Sequence, residues 1–106
     1  MADPLAIYEA LARESARMRE AARRSDWEAL FDAEAACAAL LARLRSAPDA
    51  GLDEAGRTRK RELLRQVLAD DAEIRDRLQP ELARLSALIA HFDAGRRMRE
   101  RYGTAE

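Results

Sequence analysis

The strongest indication of the fold in this 106-residue chain comes from residues 63–92, LLRQVLADDAEIRDRLQPELARLSALIAHF. Their larger apolar side chains recur at steps of three and four residues, which is the period of one face of an α-helix. The positions on this face are Leu64, Val67, Leu68, Ile74, Leu78, Leu82, Leu85, Ile89 and Phe92, with Asp71 among them. Because one phase runs through the whole stretch, we predict a single long helix over about residues 54–92.

Pro80 lies inside this predicted helix. A proline removes one backbone hydrogen bond and crowds the preceding turn, but the apolar phase continues across it, so the pattern predicts a kink rather than a break. The alternative is that one helix ends near Ala69 and a new one is capped by Asp70 or Asp71. Gly95 is the expected C-cap, and a short helical tail is expected over about residues 95–102.

Two shorter helices are predicted before the long one. Asp3 followed by Pro4 is typical of an N-cap with proline in the first turn, which places helix one at about residues 4–24. Ser25 and Glu28 have the spacing of a capping box, so helix two should cover about residues 26–46. The short joint between them favours an antiparallel hairpin, and the turn-forming residues 47–51 should end helix two. The stripe of helix two comprises Trp27, Leu30, Phe31, Glu34, Cys37, Leu41 and Leu44.

The composition predicts one all-α domain over residues 1–106. Only 4 glycines and 3 prolines are present and aromatic residues make up 5% of the chain, which favours helix over strand. The hydrophobic fraction is 48%, but 24 of these residues are alanine, so the core should be thin. We expect an antiparallel helical hairpin packed on one long C-terminal helix, forming a small three- to four-helix bundle.

The sequence argues against an enzyme. It holds one histidine and one cysteine, and its carboxylates mostly alternate with arginines, so we expect no catalytic, cofactor-binding or metal-binding residues and no cofactor. We interpret His91 as a cap at a helix end and Cys37 as a small core side chain. With no signal-like start and no apolar run long enough for a membrane span, we expect a cytoplasmic protein without a membrane partner.

Direct binding of nucleic acid is also not expected. The net charge is −1, and the two arginine-rich clusters near residues 57–65 and 96–101 are interrupted by Glu62 and Glu100. No aromatic residues interleave with them for base stacking. Docking onto an acidic protein surface is a further interpretation of these clusters.

Glu34 and Trp27 allow two interpretations each. Glu34 shares the stripe of Trp27 and Leu30, so it either lies at the edge of the stripe in water or is a partly buried carboxylate with hydrogen-bond donors around it. Asp71 poses the same question on the long helix. Trp27 fits a core anchor better than an interaction hot spot.

Two stretches of the chain are similar to a known family. Residues 25–34, SDWEALFDAE, hold a tryptophan, an acid, an aliphatic residue three positions after the tryptophan and a glutamate seven after it. The second stretch begins at Leu63 and runs through Ile89 to Arg97 and the Tyr102–Gly103 pair. In order, spacing and length, over roughly residues 5–103, the chain resembles the flagellar export chaperone FliT family.

The resemblance implies a type III export chaperone. Such a protein keeps the filament-capping protein FliD soluble and hands it to the flagellar export ATPase complex, and some family members repress flagellar genes through the master transcriptional regulator. We expect client contacts at Leu64, Leu68, Leu78 and Leu85, and a mobile gating tail at Arg97, Met98 and Tyr102. The matched motif, Ser25, Trp27, Glu28, Leu30 and Glu34, is expected to be structural. The alternative is a helical interaction module without chaperone function that forms a homodimeric bundle, and both a monomer and a homodimer fit the sequence.

Overall fold

The computed structural model describes residues 3–46 and 51–103 of the chain. They form three helices, α1 (Pro4–Arg23), α2 (Trp27–Arg45) and α3 (Glu54–Tyr102), and no strand occurs within the described residues. The predicted all-α fold is therefore confirmed. Residues 47–50, on which most of the predicted turn falls, lie outside the described residues.

The Asp3–Pro4 pair starts α1. The Asp3 side chain accepts a hydrogen bond of 3.1 Å from the backbone amide of Leu5, and Pro4 occupies the first helical turn. A proline there loses no hydrogen bond, because the first amides of a helix have no partner within it.

The joint between α1 and α2 differs from the expected capping box. Asp26, not Ser25, is the N-cap of α2, and its carboxylate accepts a 3.1 Å hydrogen bond from the amide of Ala29. Ser25 instead adopts a left-handed backbone conformation with φ of 55°. The amide of Ser25 donates to the carbonyl of Ala22, and that of Asp26 to the carbonyl of Ala21. This pair of bonds is a Schellman motif, so Ser25 belongs to the end of α1 rather than to the start of α2.

α1 is the central helix of the bundle. α2 packs antiparallel on one side of it, and α3 packs on another side in the same direction as α1. The direction of α3 follows from the ion pairs Glu9–Arg59 and Arg23–Glu73, whose residue numbers rise together along both helices.

The apolar core between these helices is small. A cluster of Ala21, Ala22, Leu30 and Ile74 joins all three helices, and Met18, Trp27 and Leu78 pack against it from partly buried positions. Further along the bundle Ile7, Tyr8, Leu11, Ala33 and Leu63 are buried. Three of the seven buried apolar side chains on α1 and α2 are alanine, in line with the thin core that the composition predicts.

α3 is longer than the sequence indicated. It continues without interruption from Glu54 to Tyr102, through both Pro80 and Gly95, so the expected end near Phe92 with a cap at Gly95 is wrong, as is the alternative split near Ala69. The C-cap is Gly103, whose φ is 71°. A glycine within a helix costs only about 1 kcal/mol relative to alanine, so Gly95 destabilises α3 slightly without ending it. A kink at Pro80 stays a prediction.

The last half of α3 projects beyond the bundle. No residue from Gln79 to Tyr102, a segment called the α3 arm below, is buried. Its 24 residues would span about 36 Å at the α-helical rise of 1.5 Å per residue. The described chain accordingly measures 73 × 25 × 18 Å.

Candidate functional site: an apolar cleft between α2 and α3

An open cleft separates α2 from α3. Both helices pack on α1, but in the described residues no Cα atom of α2 comes within 8 Å of one of α3. The resulting lower depression has a volume of about 280 Å³ and a floor formed by α1. Its lining comprises Leu11, Ser15 and Met18 from α1, Glu34, Cys37, Ala38 and Leu41 from α2, and Val67, Leu68, Asp71 and Ile74 from α3.

A second depression of about 330 Å³ continues the cleft where the start of α2 faces the α3 arm. It is lined by Trp27, Phe31, Leu78, Glu81, Leu82, Arg84, Leu85 and Leu88. Because α2 runs opposite to α1 and α3, its residue numbers fall while those of α3 rise from the lower to the upper depression. The two depressions, together called the α2–α3 cleft, follow α3 from Val67 to Leu88, about 32 Å of helix.

Large apolar side chains in this cleft are exposed to solvent. Leu68 is 67% exposed, Phe31 63% and Leu85 53%, and the exposed stripe continues along the α3 arm to Ile89 and Phe92. Single exposed apolar residues are ordinary, but a contiguous apolar patch on a soluble protein marks an interaction surface. The cleft is therefore the candidate site.

A buried polar cluster fixes α1 against α3 beside the cleft. Asp70 is only 1% exposed. Its carboxylate accepts hydrogen bonds from Ser15 Oγ at 2.7 Å, Arg19 Nη1 at 2.8 Å and Gln66 Nε2 at 3.0 Å. Arg19 Nε is buried and has no hydrogen-bond partner among the described residues. Because the donors Ser15 and Arg19 lie on α1, these hydrogen bonds fix the register of α1 on α3. They thereby determine the shape of the cleft floor.

Comparison with known proteins identifies the family. The family model described as flagellar protein FliT matches residues 5–104. The crystal structure of flagellar protein FliT from Bordetella bronchiseptica is 40% identical in sequence with a TM-score of 0.73, over 81% of this chain and 99% of that one. This chain belongs to the FliT family. No match was found among curated proteins. The expected resemblance is thereby confirmed.

Three of the four residues expected to contact a client line the cleft of this FliT-family chain. Leu68 lies in the lower depression, and Leu78 and Leu85 lie in the upper one. Leu64 is half-buried and lines neither. The residues expected to form a gating tail, Arg97, Met98 and Tyr102, are exposed positions in the last turns of α3.

The matched motif at the start of α2 divides between core and cleft. Leu30 is 5% exposed within the cluster that joins the three helices, and Trp27 packs on this cluster while also lining the upper depression. Glu34 is exposed and lines the lower depression. Ser25 and Glu28 are exposed residues near the helix joint.

The buried carboxylate that sequence reasoning missed is Asp70, next to the flagged Asp71. Asp71 is half-buried on the cleft wall and pairs with Arg75 of the same helix. The signal for Asp70 was available, because Leu63, Asp70 and Ile74 share a face at helical spacing and Ser15 lies on the apolar stripe of α1. This face was missed because the predicted stripe was based on apolar residues, and Asp70 is polar.

The remaining reactive side chains of the described chain show no catalytic arrangement. Burial, and then the negative charges of Glu14 and Glu34, raise the pKa of the Cys37 thiol, whose Sγ lies 3.6 Å from Met18 Sδ. A raised pKa disfavours the reactive thiolate. Within residues 3–46 and 51–103, no three His, Cys, Asp or Glu side chains are grouped where they could hold a metal ion. No helix of the described part is long and apolar enough to cross a membrane.

The first arginine cluster, near residues 57–65, is engaged in contacts within the protein. Arg59 binds both carboxylate oxygens of Glu9, which raises the pKa of its guanidinium, and Arg57 donates to the carbonyl of Leu52 at 2.8 Å. The ammonium of Lys60 lies 5.1 Å from the centre of the Tyr8 ring. The contacts of Arg59 and Lys60 attach the start of α3 to α1, and this gives much of the first cluster a structural role.

Proposed function

We propose that the protein is a flagellar export chaperone that binds the filament-capping protein FliD through the α2–α3 cleft and keeps it soluble. Family membership supports a flagellar protein, and the exposed apolar cleft supports a client-binding one. Delivery to the flagellar export ATPase complex and repression through the master transcriptional regulator belong to the same proposal. The expected setting is the cytoplasm, where export clients are made, and no enzymatic activity is part of the proposal.

The observation that carries this proposal is the open arrangement of the three helices. Two of them pack on α1 without packing on each other, and this leaves an apolar floor with two apolar walls. An amphipathic helix laid in such a groove buries its own apolar face together with that of the groove, at roughly 25 cal/mol for each Å² removed from water. The 32 Å estimated for the cleft matches a client helix of about 21 residues.

Trp27 provides a direct test, because it is the only tryptophan of the chain and lines the upper depression. Titration with a tryptophan-free C-terminal segment of the filament-capping protein from the same bacterium should shift its emission to shorter wavelength as water leaves the cleft. A saturable shift supports the proposal. An unchanged spectrum at saturating peptide, with Leu85→Asp behaving like the unaltered protein, contradicts it.

A homodimer is the second candidate, supported by the α3 arm. Leu78, Leu82, Leu85, Ile89 and Phe92 follow one another at steps of four, three, four and three residues, the spacing of a coiled-coil seam. Two arms paired through this stripe would bury it without any client. Sedimentation separates the candidates: a tight dimer lost in Ile89→Asp favours the dimeric module, and a monomer favours the client groove.

A further inference from the structure

The α2–α3 cleft is apolar along most of its length but carries two carboxylates in its lower depression. Glu34 projects from α2 and Asp71 from α3, and both line the lower depression. Trp27 and Phe31 lie above Glu34 on the same wall, and Leu41 lies below it. The upper depression adds Glu81 and Arg84, which pair with each other. The net negative charge of the cleft is therefore carried by Glu34 and Asp71 in the lower depression.

The protein provides these two carboxylates with little compensating positive charge. Among the described residues, no lysine or arginine lines the lower depression. Within the same part of the chain, Asp71 pairs only with Arg75, whose side chain is 73% exposed. Glu34 makes no hydrogen bond or ion pair with any described residue.

Helix α2 carries acidic but no basic residues over most of its length, although Glu34 is its only described carboxylate that lines the cleft. Between Trp27 and Ala42 it carries Glu28, Asp32 and Glu34 and no basic residue, and the first arginine is Arg43. The negative field also reaches the half-buried Cys37, whose thiol pKa is raised first by burial and then by the charges of Glu14 and Glu34. An approaching segment therefore meets apolar surface and negative charge together.

We infer that Glu34 and Asp71 select client helices that carry a lysine or arginine within their apolar face, one to two turns from apolar residues on either side. The inference rests on the proposed function. A wholly apolar helix would cover Glu34 and remove its water without replacing it, and an unpaired carboxylate is costly to desolvate. A basic side chain in the lower depression would pair with both carboxylates. The same two residues therefore attract the correct client and disfavour wholly apolar segments.

The test compares binding of the C-terminal segment of the filament-capping protein by the unaltered chaperone and by Glu34→Gln/Asp71→Asn. These substitutions keep side-chain shape and remove charge, and far-ultraviolet circular dichroism with thermal unfolding checks that the bundle is retained. We expect about tenfold weaker binding and a flatter salt dependence. Asp32→Asn is the matched control, because it removes an exposed carboxylate of the same helix that lines neither depression.

A second measurement does not depend on the folding of a variant chaperone. Each basic residue of the client segment is replaced in turn by glutamine, and one replacement should reproduce the loss with the unaltered chaperone and add little with Glu34→Gln/Asp71→Asn. Equal affinity of the unaltered and doubly substituted chaperones would overturn the inference while leaving the proposed function standing. Absence of binding by the unaltered chaperone would overturn both.

Discussion

Ser15 of α1 donates a 2.7 Å hydrogen bond to the buried carboxylate of Asp70 on α3. The same carboxylate is paired with Arg19 at 2.8 Å, so one side chain joins two turns of α1 to α3. Because the bundle has few large buried residues, the hydrogen bonds of Asp70 are important for fixing the register of α1 on α3. They also place Met18 and Leu11 as the floor of the cleft.

Replacement of Asp70 by alanine should destabilise the protein by about 3 kcal/mol, because it leaves the charge of Arg19 and the hydroxyl of Ser15 without their partner. Urea unfolding followed by circular dichroism measures the change. Asp71→Ala is the control, since it breaks only the pair with the exposed Arg75 and should cost less than about 0.5 kcal/mol. Equal effects of the two variants would contradict the role assigned to Asp70.

Replacement of Ser25 by glycine should stabilise the protein by about 1 kcal/mol. Ser25 adopts a left-handed backbone conformation, which costs L-residues roughly 1 to 2 kcal/mol and costs glycine little. Asp26→Ala should have the opposite effect, a loss of about 1 kcal/mol, because it removes the N-cap of α2. Thermal unfolding tests both, and a destabilised Ser25→Gly variant would argue for the capping box that the structure does not show.

Acid should weaken the contact between Arg23 and Glu73. Hydrogen bonds from Arg23, and secondarily from Arg77, lower the pKa of Glu73 from 4.5 to about 2. A carboxylate with a depressed pKa stabilises the folded state fully above its ordinary pKa, and this contribution is lost as the pH falls from 4.5 towards 2. The difference in unfolding free energy between the unaltered protein and Glu73→Gln should therefore be constant near neutral pH and shrink below pH 4.5.

Arg23→Gln checks the cause of this pH dependence. Arg23 is the main partner of Glu73. The difference in unfolding free energy between the unaltered protein and Arg23→Gln should therefore also shrink in acid, and the double variant should be little less stable than either single variant. A difference between the unaltered protein and Glu73→Gln that stays constant down to about pH 3 would contradict the depressed pKa.

Replacement of Leu68 and Leu85 together by aspartate should abolish client binding and leave the fold intact. Both side chains are more than half exposed, so their loss removes little core, but it places charge in both depressions of the cleft. Ala69→Asp/Ala87→Asp is the matched control, because these exposed alanines of α3 line neither depression. Calorimetry on folded samples measures the affinity for the client. An unchanged affinity in Leu68→Asp/Leu85→Asp would contradict binding of the client in the cleft.

Much of the architecture follows from local sequence signals. The Asp3–Pro4 pair marks the start of α1, and the single apolar phase of residues 63–92 indicates one long helix despite Pro80. Gly95 was misleading, because a glycine ends a helix only when another conformation is better stabilised, and no described residue of α1 or α2 lies within 4 Å of the position that a side chain would occupy at Gly95. Ser25 and Asp26 are adjacent capping residues, and the choice between them depended on backbone bonds to Ala21 and Ala22 that no spacing rule contains.

The candidate site was predictable only in part. The apolar stripe of α3 is visible in the sequence, but its members have different surroundings: Ile74 is buried in a cluster with Ala21 and Ala22 of α1, whereas Leu68 and Leu85 stay exposed. Which face meets α1 depends on the polar contacts of Asp70, and these involve residues some 50 positions apart in sequence. The gap between α2 and α3 is likewise a property of three packed helices and not of any one of them.

Client binding by the cleft can be measured by calorimetric titration of the protein with the C-terminal segment of the filament-capping protein, repeated at several temperatures. We expect saturable binding of one segment per chain, with a negative heat-capacity change from burial of the apolar cleft. No heat of binding at any temperature by a protein that circular dichroism shows to be folded would contradict it.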